Sequence, residues 1–209
     1  ILNGYDENDL CSIHAPFKFD TSKGIKDLVV GYLPNAFKGG ATNVDHAALK
    51  AARSLGVKIK KVDIEDLPYM SLINILYAEA AAAFEHLTLS GKDDTLTWQD
   101  DGAWPNTFRK ARFLSAVDHV QLDRLRYLVM KALDEVFSKI DILIGPFDTG
   151  PMLVASNFTG HPCLHLRAGF LKLASRGAAS LGDGKLNTGE AGAGREFTVP
   201  HGISLWGRL

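Results

Sequence analysis

The stretch that decides the fold is residues 140–170, which read IDILIGPFDTGPMLVASNFTGHPCLHLRAGF. Its first part, Ile142 to Ile144, is an apolar run that stops at Gly145 and Pro146. Such a run is typical of a short strand buried on both faces of a parallel sheet. A turn-rich patch from Asn157 to Pro162 follows, and we expect a second strand after it. Loops that follow buried parallel strands carry ligand-binding residues, so this stretch predicts a sheet and a site beside it.

A strand, a helix and a second strand precede this stretch. Leu28 to Leu33 predicts the first strand. The helix is expected from about Asn43 to Leu55, with Thr42 or Asn43 as its N-cap and Gly56 at its C-terminal end. Val57 to Ile64 is half polar, with apolar residues at 57, 59, 62 and 64, which predicts a strand near a sheet edge. We expect the two strands to be parallel neighbours, because a connection of this kind forms a right-handed βαβ unit.

Two further helical regions are expected. The first runs from about Met70 to Leu89, because it is filled with strong helix formers and Gly91 supplies a stop. The second runs from Pro105 to Lys139, with a break near Asp118. An apolar stripe marks one face of this second region. Its members are Leu122, Leu125, Val129, Ala132, Leu133, Val136 and Ile140.

Residues 174–194 are rich in Gly, Ala and Ser and contain few large apolar residues, which predicts a surface loop. The glycines of this segment do not predict a phosphate cradle. A P-loop needs Ser or Thr after its Gly-Lys pair, whereas Leu186 follows Gly184 and Lys185 here. The segment therefore carries no nucleotide-binding prediction.

The composition predicts one globular unit over residues 1–209. The chain is 46% hydrophobic and 22% charged, which is enough to bury one core. Its net charge is −1, so no overall field favours nucleic acid or an anionic membrane, and we expect small substrates. No segment approaches the roughly 20 apolar residues that span a bilayer. Two cysteines, Cys11 and Cys163, are too few for a disulfide framework, which favours a reducing cytoplasm.

Histidine and cysteine side chains alternate near the expected second strand, which raises two alternatives. On a strand, His161, Cys163 and His165 would share one face, and Cys11 with His14 would add ligands to a zinc site. Cys163 and a His would otherwise form a nucleophile pair. We favour a simpler interpretation, in which Cys163 is a small buried hydrophobe and each His finds a hydrogen bond. Alternation alone is a weak signal for zinc, whose structural ligands come in closer paired sets, so we expect no metal here. A strand interior is not the accessible, electropositive setting that activates a thiol, so we expect no nucleophile pair either.

Two other polar patterns have a simpler explanation than catalysis or modification. Asp6 and Asp9 resemble paired carboxylates for acid and base work. Asp side chains also stabilise turns by accepting hydrogen bonds from nearby backbone N–H groups, and we expect that role here. Asn157-Phe158-Thr159 is formally a glycosylation acceptor, but the sequence gives no secretory context for it.

Five segments of the chain point to one family. They are Gly31 to Pro34, Ala78 to Phe84, Asn157 to Pro162, Ala168 to Phe170 and Gly202 to Leu209. In this order they resemble the C-terminal half of the amidase signature family, whose members hydrolyse or transfer carboxamides. The resemblance covers nearly the whole chain. It implies an α/β fold, as a piece of a large mixed β-sheet with helices on both faces.

The catalytic part of that family has no counterpart here. In the family, a Ser nucleophile, a cis-Ser and a Lys lie in an earlier Gly/Ser-rich signature region, and nothing from Ile1 to Leu209 matches it. The chain also begins with Ile rather than Met and stops at Leu209 without a turn or terminal helix signal. We therefore expect an internal fragment that supplies scaffold and one wall of the substrate pocket, with no catalytic residue of its own.

The resemblance also implies four substrate-binding residues. Arg112 lies in the helical part from which some relatives hold a polar or anionic group of the substrate, a task that suits a guanidinium. Asp148 and Thr149 follow the Ile142 strand, where family members line the acyl pocket. The chain reads Pro-Phe-Asp-Thr there in place of the commoner Pro-Thr, which leaves the substrate open. Asn157 begins the family-like patch and completes the set.

The function implied by the resemblance is hydrolysis of a small carboxamide by acyl transfer to Ser, with no metal or organic cofactor. The expected partner is the missing N-terminal half or a partner subunit. Two alternatives stay open: a non-catalytic amidase-like binding module, and the A-type subunit of a tRNA-dependent amidotransferase. The near-neutral charge disfavours direct tRNA contact. The missing catalytic region fits three origins equally well: a truncated sequence, a protein that is naturally split into two chains, and a decayed gene.

Overall fold

The computed structural model describes residues 4–15, 20, 22, 24–147, 150–174 and 196–209. These residues form a five-stranded mixed sheet in the order β2-β1-β3-β5-β4. The strands are β1 (Val29–Tyr32), β2 (Lys58–Lys61), β3 (Ile142–Pro146), β4 (Cys163–Ala174) and β5 (Glu196–Gly207). The helices are α1 (Asn43–Ser54), α2 (Ile73–Ala83), α3 (Glu85–Leu89), α4 (Trp104–Ala111), α5 (Ala116–Phe137) and α6 (Pro151–Thr159). Short 3-10 helices cover Pro34–Phe37, Tyr69–Leu72 and Lys92–Thr95.

The predicted strand–helix–strand unit is confirmed. β1 and β2 are parallel neighbours, with Val29 opposite Lys58. Thr42 caps α1 with a reciprocal pair of hydrogen bonds, since its side chain accepts from the Asp45 N–H while the Asp45 carboxylate accepts from the Thr42 N–H. β2 lies at the edge of the sheet and most of its side chains are exposed, as its half-polar pattern predicts.

The sheet separates two apolar cores, so the predicted layering with helices on both faces is confirmed. Leu143 and Trp206 face the larger core, together with buried residues of α2, α5 and α6. Ile144 and Ile203 face the smaller core, which includes Leu49 of α1. Neighbouring residues of β3 thus point into different cores, which explains why the strand is apolar throughout.

The expected stripe of α5 packs into the larger core, but the helix boundaries differ from the prediction. The break falls between Ala111 and Ala116, because Ser115 acts as the N-cap of α5 and accepts a hydrogen bond from the Asp118 N–H. The helix expected over Met70 to Leu89 is interrupted at Phe84. This residue leaves helical geometry, and its ring stacks on Phe108 of α4 at a centroid distance of 5.2 Å.

The turn-rich patch beginning at Asn157 is a correction, because these residues end a helix. Pro151 occupies the first turn of α6, where its missing N–H costs nothing. Gly160 ends the helix at φ 84°, a left-handed conformation that favours glycine. The Gly and Pro residues that suggest turns in the sequence are therefore the start and stop signals of a helix.

The exposure of Cys163 is a second correction. β4 is an edge strand, and Cys163 is exposed together with Leu164 at 56% and Leu166 at 44%. The strand itself is present as expected, but it is not buried, since a strand at the edge of the described sheet lacks a neighbour on one side.

Two predictions concern the ends of the described segments. Asp6 and Asp9 stabilise turns as expected, because their side chains accept hydrogen bonds from the backbone of Asn8 and Cys11, each at 2.9 Å. The loop predicted at 174–194 lies outside the described residues, except for Ala174 at the end of β4.

Among the helices that the structure describes, none is both long and apolar enough to cross a membrane.

Candidate functional site

A cavity of about 910 Å³ lies at the carboxyl ends of β1 and β3. Its walls come from the residues after β1, from the segment 63–71 after β2, from the end of β3 and from the start of α6. Ligands of open α/β sheets bind outside the carboxyl ends of the parallel strands. The cavity therefore occupies the edge of the sheet at which the sequence predicts a site.

A close backbone approach shapes the wall between β3 and β5. A Cβ atom on Gly145 would lie 2.6 Å from Cζ3 of Trp206, so a larger residue would displace the indole. Trp206 is 2% exposed and belongs to the same wall. Gly145 thus allows a large aromatic side chain to fill the space beneath the cavity.

The segment 63–71 gives the cavity an acidic wall. Asp63, Glu65 and Asp66 line it, whereas Lys38 is the cationic side chain of the described lining and donates to Oδ1 of Asn35 at 3.1 Å. The Tyr69 hydroxyl donates to the carbonyl of Glu65. Burial and the nearby negative charges of Glu65 and Asp66 raise the pKa of Tyr69 to about 12. The phenol therefore stays neutral, with its proton already engaged.

A buried carboxylate fixes the chain where it leaves β3. Asp45 is 1% exposed, and its Oδ1 accepts hydrogen bonds from the Phe147 N–H and from Nε2 of His201, each at 3.0 Å. Its Oδ2 accepts from the N–H and the hydroxyl of Thr42, each at 2.7 Å. Burial alone would raise the pKa of Asp45, but the hydrogen bonds from Thr42, Phe147 and His201 hold it below the usual range. Phe147 follows Pro146 of the cavity wall, so this network positions the exit of the strand.

The four predicted substrate-binding residues are not gathered at one point in the described part of the chain. Asp148 and Thr149 lie outside the described residues; in sequence they stand between Phe147 and Gly150, and Gly150 lines the cavity. Arg112 follows α4 and donates to Oε1 of Glu85 at 3.0 Å. As far as the lining of the large cavity is described, Arg112 is not part of it.

Asn157 lies in a different place. Its side-chain amide donates to the carbonyl of Leu153 at 2.7 Å, on the exposed side of α6. It lines a second, smaller cleft of about 390 Å³ with His119, Asp123 and Arg126. The roles of Arg112 and Asn157 stay predictions.

The alternating His and Cys residues do not converge as a zinc site would require. His161 is buried, shares a hydrogen bond with the Thr159 hydroxyl at 2.8 Å and stacks on Phe137. Cys163 and His165 are exposed, and Sγ of Cys163 lies 3.6 Å from Nε2 of His165. Within the described residues, no group of three or more His, Cys, Asp or Glu is arranged to hold a metal ion.

Sequence reasoning missed both the Asp45 network and the acidic wall. The spacing from Thr42 to Asp45 is that of a capping box and was open to detection. The contact of Asp45 with His201, which is 156 residues away, depends on the strand order. No local pattern carries that information.

Comparison with known proteins identifies the fold. No family model matches the chain. The A-type subunit of glutamyl-tRNA(Gln) amidotransferase from Ruthia magnifica subsp. Calyptogena magnifica is 23% identical over an alignment of 217 positions, gaps included, which covers 81% of this chain and 45% of the relative. A solved bacterial aryl acylamidase of the amidase signature family superposes with a TM-score of 0.68 at 18% identity, covering 98% of this chain and 45% of the acylamidase. The A-type subunit of the Thermotoga maritima glutamyl-tRNA(Gln) amidotransferase superposes with a TM-score of 0.53 at 15% identity. This superposition covers 98% of this chain and 44% of the Thermotoga maritima subunit.

The chain spans about half the length of the proteins it matches, at 45% of the curated relative and of the acylamidase. The resemblance seen in the sequence is therefore confirmed at the level of the fold: the chain has the architecture of part of an amidase signature enzyme.

Proposed function

We propose that this chain is the C-terminal part of an amidase-type hydrolase, which cleaves a small carboxamide by acyl transfer to Ser. In this proposal the chain supplies the sheet scaffold and one wall of the substrate pocket, and the N-terminal half or a partner subunit supplies Ser, cis-Ser and Lys. The observation that carries the proposal is the cavity at the carboxyl ends of β1 and β3, in a sheet with the amidase signature fold.

The chemistry divides between the two halves. The Ser hydroxyl attacks the carboxamide carbon, backbone N–H groups hold the oxyanion, and the amine leaves before water releases the acid. Residues of this chain bind and orient the substrate, with Asp45 holding the strand exit that leads to Asp148 and Thr149. Arg112 would bind a polar or anionic group once Glu85 releases it, and Asn157 would contact the substrate from α6. This chemistry calls for no metal or organic cofactor.

The setting of the proposed enzyme is a reducing cytoplasm. Both cysteines, Cys11 and Cys163, are free thiols and exposed. Free exposed thiols are typical of proteins kept in reducing compartments.

The decisive experiment joins the chain to an N-terminal half. The chain is extended upstream through a Gly/Ser-rich signature with its Lys, and ammonia or aniline release from simple carboxamides and anilides is measured. We expect hydrolysis by the extended chain, abolished when the signature Ser is changed to Ala. A folded extended chain that binds carboxamides without hydrolysing them would overturn the proposal in favour of the non-catalytic binding module.

Arg112 can be tested in the same extended chain. Arg112→Ala should lower kcat/KM by about 10- to 100-fold, since a hydrogen bond to a charged group contributes roughly 1.5–3 kcal/mol. Arg124→Ala is the matched control, because Arg124 lies exposed on α5 and bonds Gln121 at 3.4 Å. Equal effects of the two substitutions would contradict the role of Arg112.

A second candidate function is the A-type subunit of a tRNA-dependent amidotransferase. The curated relative from Ruthia magnifica favours it, because that protein bears this name. The extended chain would then need partner subunits and would deliver ammonia to glutamyl-tRNA. The test is amidation of glutamyl-tRNA by the extended chain with those subunits, compared with its release of free ammonia when alone.

A further inference from the structure

Cys163, His165 and Ser204 form a connected chain of side chains where β4 pairs with β5. Sγ of Cys163 lies 3.6 Å from Nε2 of His165, and Nδ1 of the same ring lies 3.0 Å from Oγ of Ser204. His165 and Ser204 are opposite each other in the antiparallel register. Cys163 is exposed, whereas Ser204 is fully buried. The Cys163 thiol is thus accessible, whereas Ser204, at the other end of this row of three side chains, is held in the interior.

The hydrogen bonds of Ser204 determine the tautomer of His165. The Ser204 hydroxyl donates to the carbonyl of Pro146 at 3.3 Å, and a carbonyl can only accept. The hydroxyl oxygen is therefore left to accept from Nδ1–H of His165. A neutral imidazole carries one N–H, so Nε2 presents its lone pair to Cys163. The thiol donates its proton towards a base that is already oriented.

The thiol needs that base. Cys163 is exposed as a residue, but its thiol is partly covered, and this partial desolvation raises its pKa, while a hydrogen bond from the Leu205 backbone opposes the effect only in part. The resting form at neutral pH is therefore S–H rather than thiolate, and the thiolate is the nucleophile. A base within hydrogen-bond reach can remove the proton as the sulfur attacks.

We propose that Cys163 and His165 form a reactive thiol–imidazole pair that takes small disulfides and becomes a mixed disulfide. The proton of Cys163 passes to Nε2 of His165, Sγ attacks one sulfur of the disulfide, and the disulfide bond breaks. The departing thiolate takes the proton from the imidazolium and leaves as a thiol. One disulfide is consumed and one is formed, so no other oxidant is required.

This site is separate from the proposed amide chemistry. Ser204 bonds the carbonyl of Pro146, which belongs to the cavity wall, but neither Cys163 nor His165 belongs to the described lining of the cavity. Failure of the hydrolase proposal would leave this inference standing, since none of its steps uses an N-terminal half.

The test uses the 209-residue chain and dithiodipyridine, a neutral disulfide that releases a coloured thione. Peptide mass spectrometry then assigns the reaction to Cys163 or to Cys11, which serves as the internal control. His165→Asn should lower the reaction rate at Cys163 at pH 7 by about tenfold or more. A tenfold effect is smaller than the roughly 100-fold or larger contribution that a positioned general base typically makes to a rate. Asn keeps an N–H donor for Ser204 but offers no base to Cys163, and the rate at Cys11 should not change.

A second comparison protects the test against misfolding of the variant. Native Cys163 should react faster at pH 7 than the same cysteine in the urea-unfolded chain, because only the folded chain holds His165 against it. Ser204→Ala should lower the rate at Cys163 less than His165→Asn does. It removes the hydrogen bond that fixes the tautomer of His165, but the imidazole base remains. An unchanged Cys163 rate in a folded His165→Asn variant, or a native rate no higher than the unfolded one, would overturn the proposal.

Discussion

Asp45 joins three parts of the chain at the residue scale. Its carboxylate accepts hydrogen bonds from Thr42, from Phe147 and from His201, which lie 3, 102 and 156 residues away. A buried charge is costly unless it is fully hydrogen-bonded, and here both oxygens are engaged. The residue therefore holds α1, the exit of β3 and β5 in one arrangement beside the cavity.

Asp45→Asn should lower the free energy of unfolding by about 1–3 kcal/mol at pH 7, because an amide has one acceptor oxygen and would leave a buried donor unpaired. Urea unfolding measures the change. Asp27→Asn is the control, since the ion pair of Asp27 with Lys58 is exposed and spans 3.7 Å, and its loss should change stability by less than about 0.5 kcal/mol.

The difference in unfolding free energy between the native chain and Asp45→Asn should depend on pH with a definite sign. The folded pKa of Asp45 lies below the unfolded value, so its contribution is present above an unfolded pKa of about 3.9 and is lost as the pH falls through the folded pKa. The gap between the native chain and Asp45→Asn should therefore shrink in acid. A gap that widens below that pH would show that the carboxylate is not the stabilising form.

His161 should make the chain less stable below neutral pH. Burial lowers its pKa, and Asp134 opposes this only in part. Above the pKa of about 6.5 that a His has in the unfolded chain, His161 is neutral in both states and stability does not depend on its titration. As the pH falls below that value towards the lower folded pKa, the unfolded chain binds the proton more readily and the free energy of unfolding decreases. The residue stacks on Phe137 at 5.0 Å and faces the hydroxyl of Thr159.

His161→Phe should flatten this slope between about pH 7 and pH 5. The Thr159 hydroxyl would keep a partner, because it also bonds the Ala155 carbonyl at 2.7 Å, so the variant should fold. Melting temperatures across that range test the prediction, with the exposed His119→Phe as the control. An equal slope in the native chain and the His161→Phe variant would exclude His161 as its source.

At the scale of elements, local signals predict what is locally determined. α1 and its cap at Thr42 are predictable, because the apolar period and the capping residues lie within the segment. β3 is predictable because it is apolar throughout. α6 escapes prediction, because Pro151 and Gly160 are typical of turns as well as of the first turn and the end of a helix. The exposure of β4 escapes prediction because it depends on strand order.

The candidate site was predictable only where it follows a buried strand. The end of β3 at Pro146 lies at the edge that binds ligands, as the sequence predicts. The acidic wall at 63–71 has no periodic pattern, and it reaches the cavity only because β2 ends at the same edge as β1. The pairing of Arg112 with Glu85 depends on the packing of α3 beside α4, which no local pattern encodes.

At the scale of the whole molecule, the two buried serines of the described residues, Ser204 and Ser156, are not activated. Ser204 contacts His165, but its proton points to the Pro146 carbonyl, so the imidazole donates to the serine instead of taking its proton. Ser156 is buried and donates to the Leu153 carbonyl at 3.3 Å. A serine nucleophile needs the opposite polarity, with the hydroxyl donating to a base.

The 209-residue chain alone should therefore show no turnover of simple carboxamides or esters and no labelling by fluorophosphonate probes. The reason is that an unactivated hydroxyl is a poor nucleophile, and Ser204 and Ser156 have their protons bound to carbonyl oxygens. Intact-mass measurement after probe treatment tests this, with the chain extended through a Gly/Ser-rich signature as the positive control. In that extended chain Cys163→Ala should leave hydrolysis intact, since Cys163 lies outside the described cavity lining. Robust labelling of the short chain, lost in Ser204→Ala or in another of its own serine variants, would show that a complete active site lies within residues 1–209 and that an N-terminal half is not needed for catalysis.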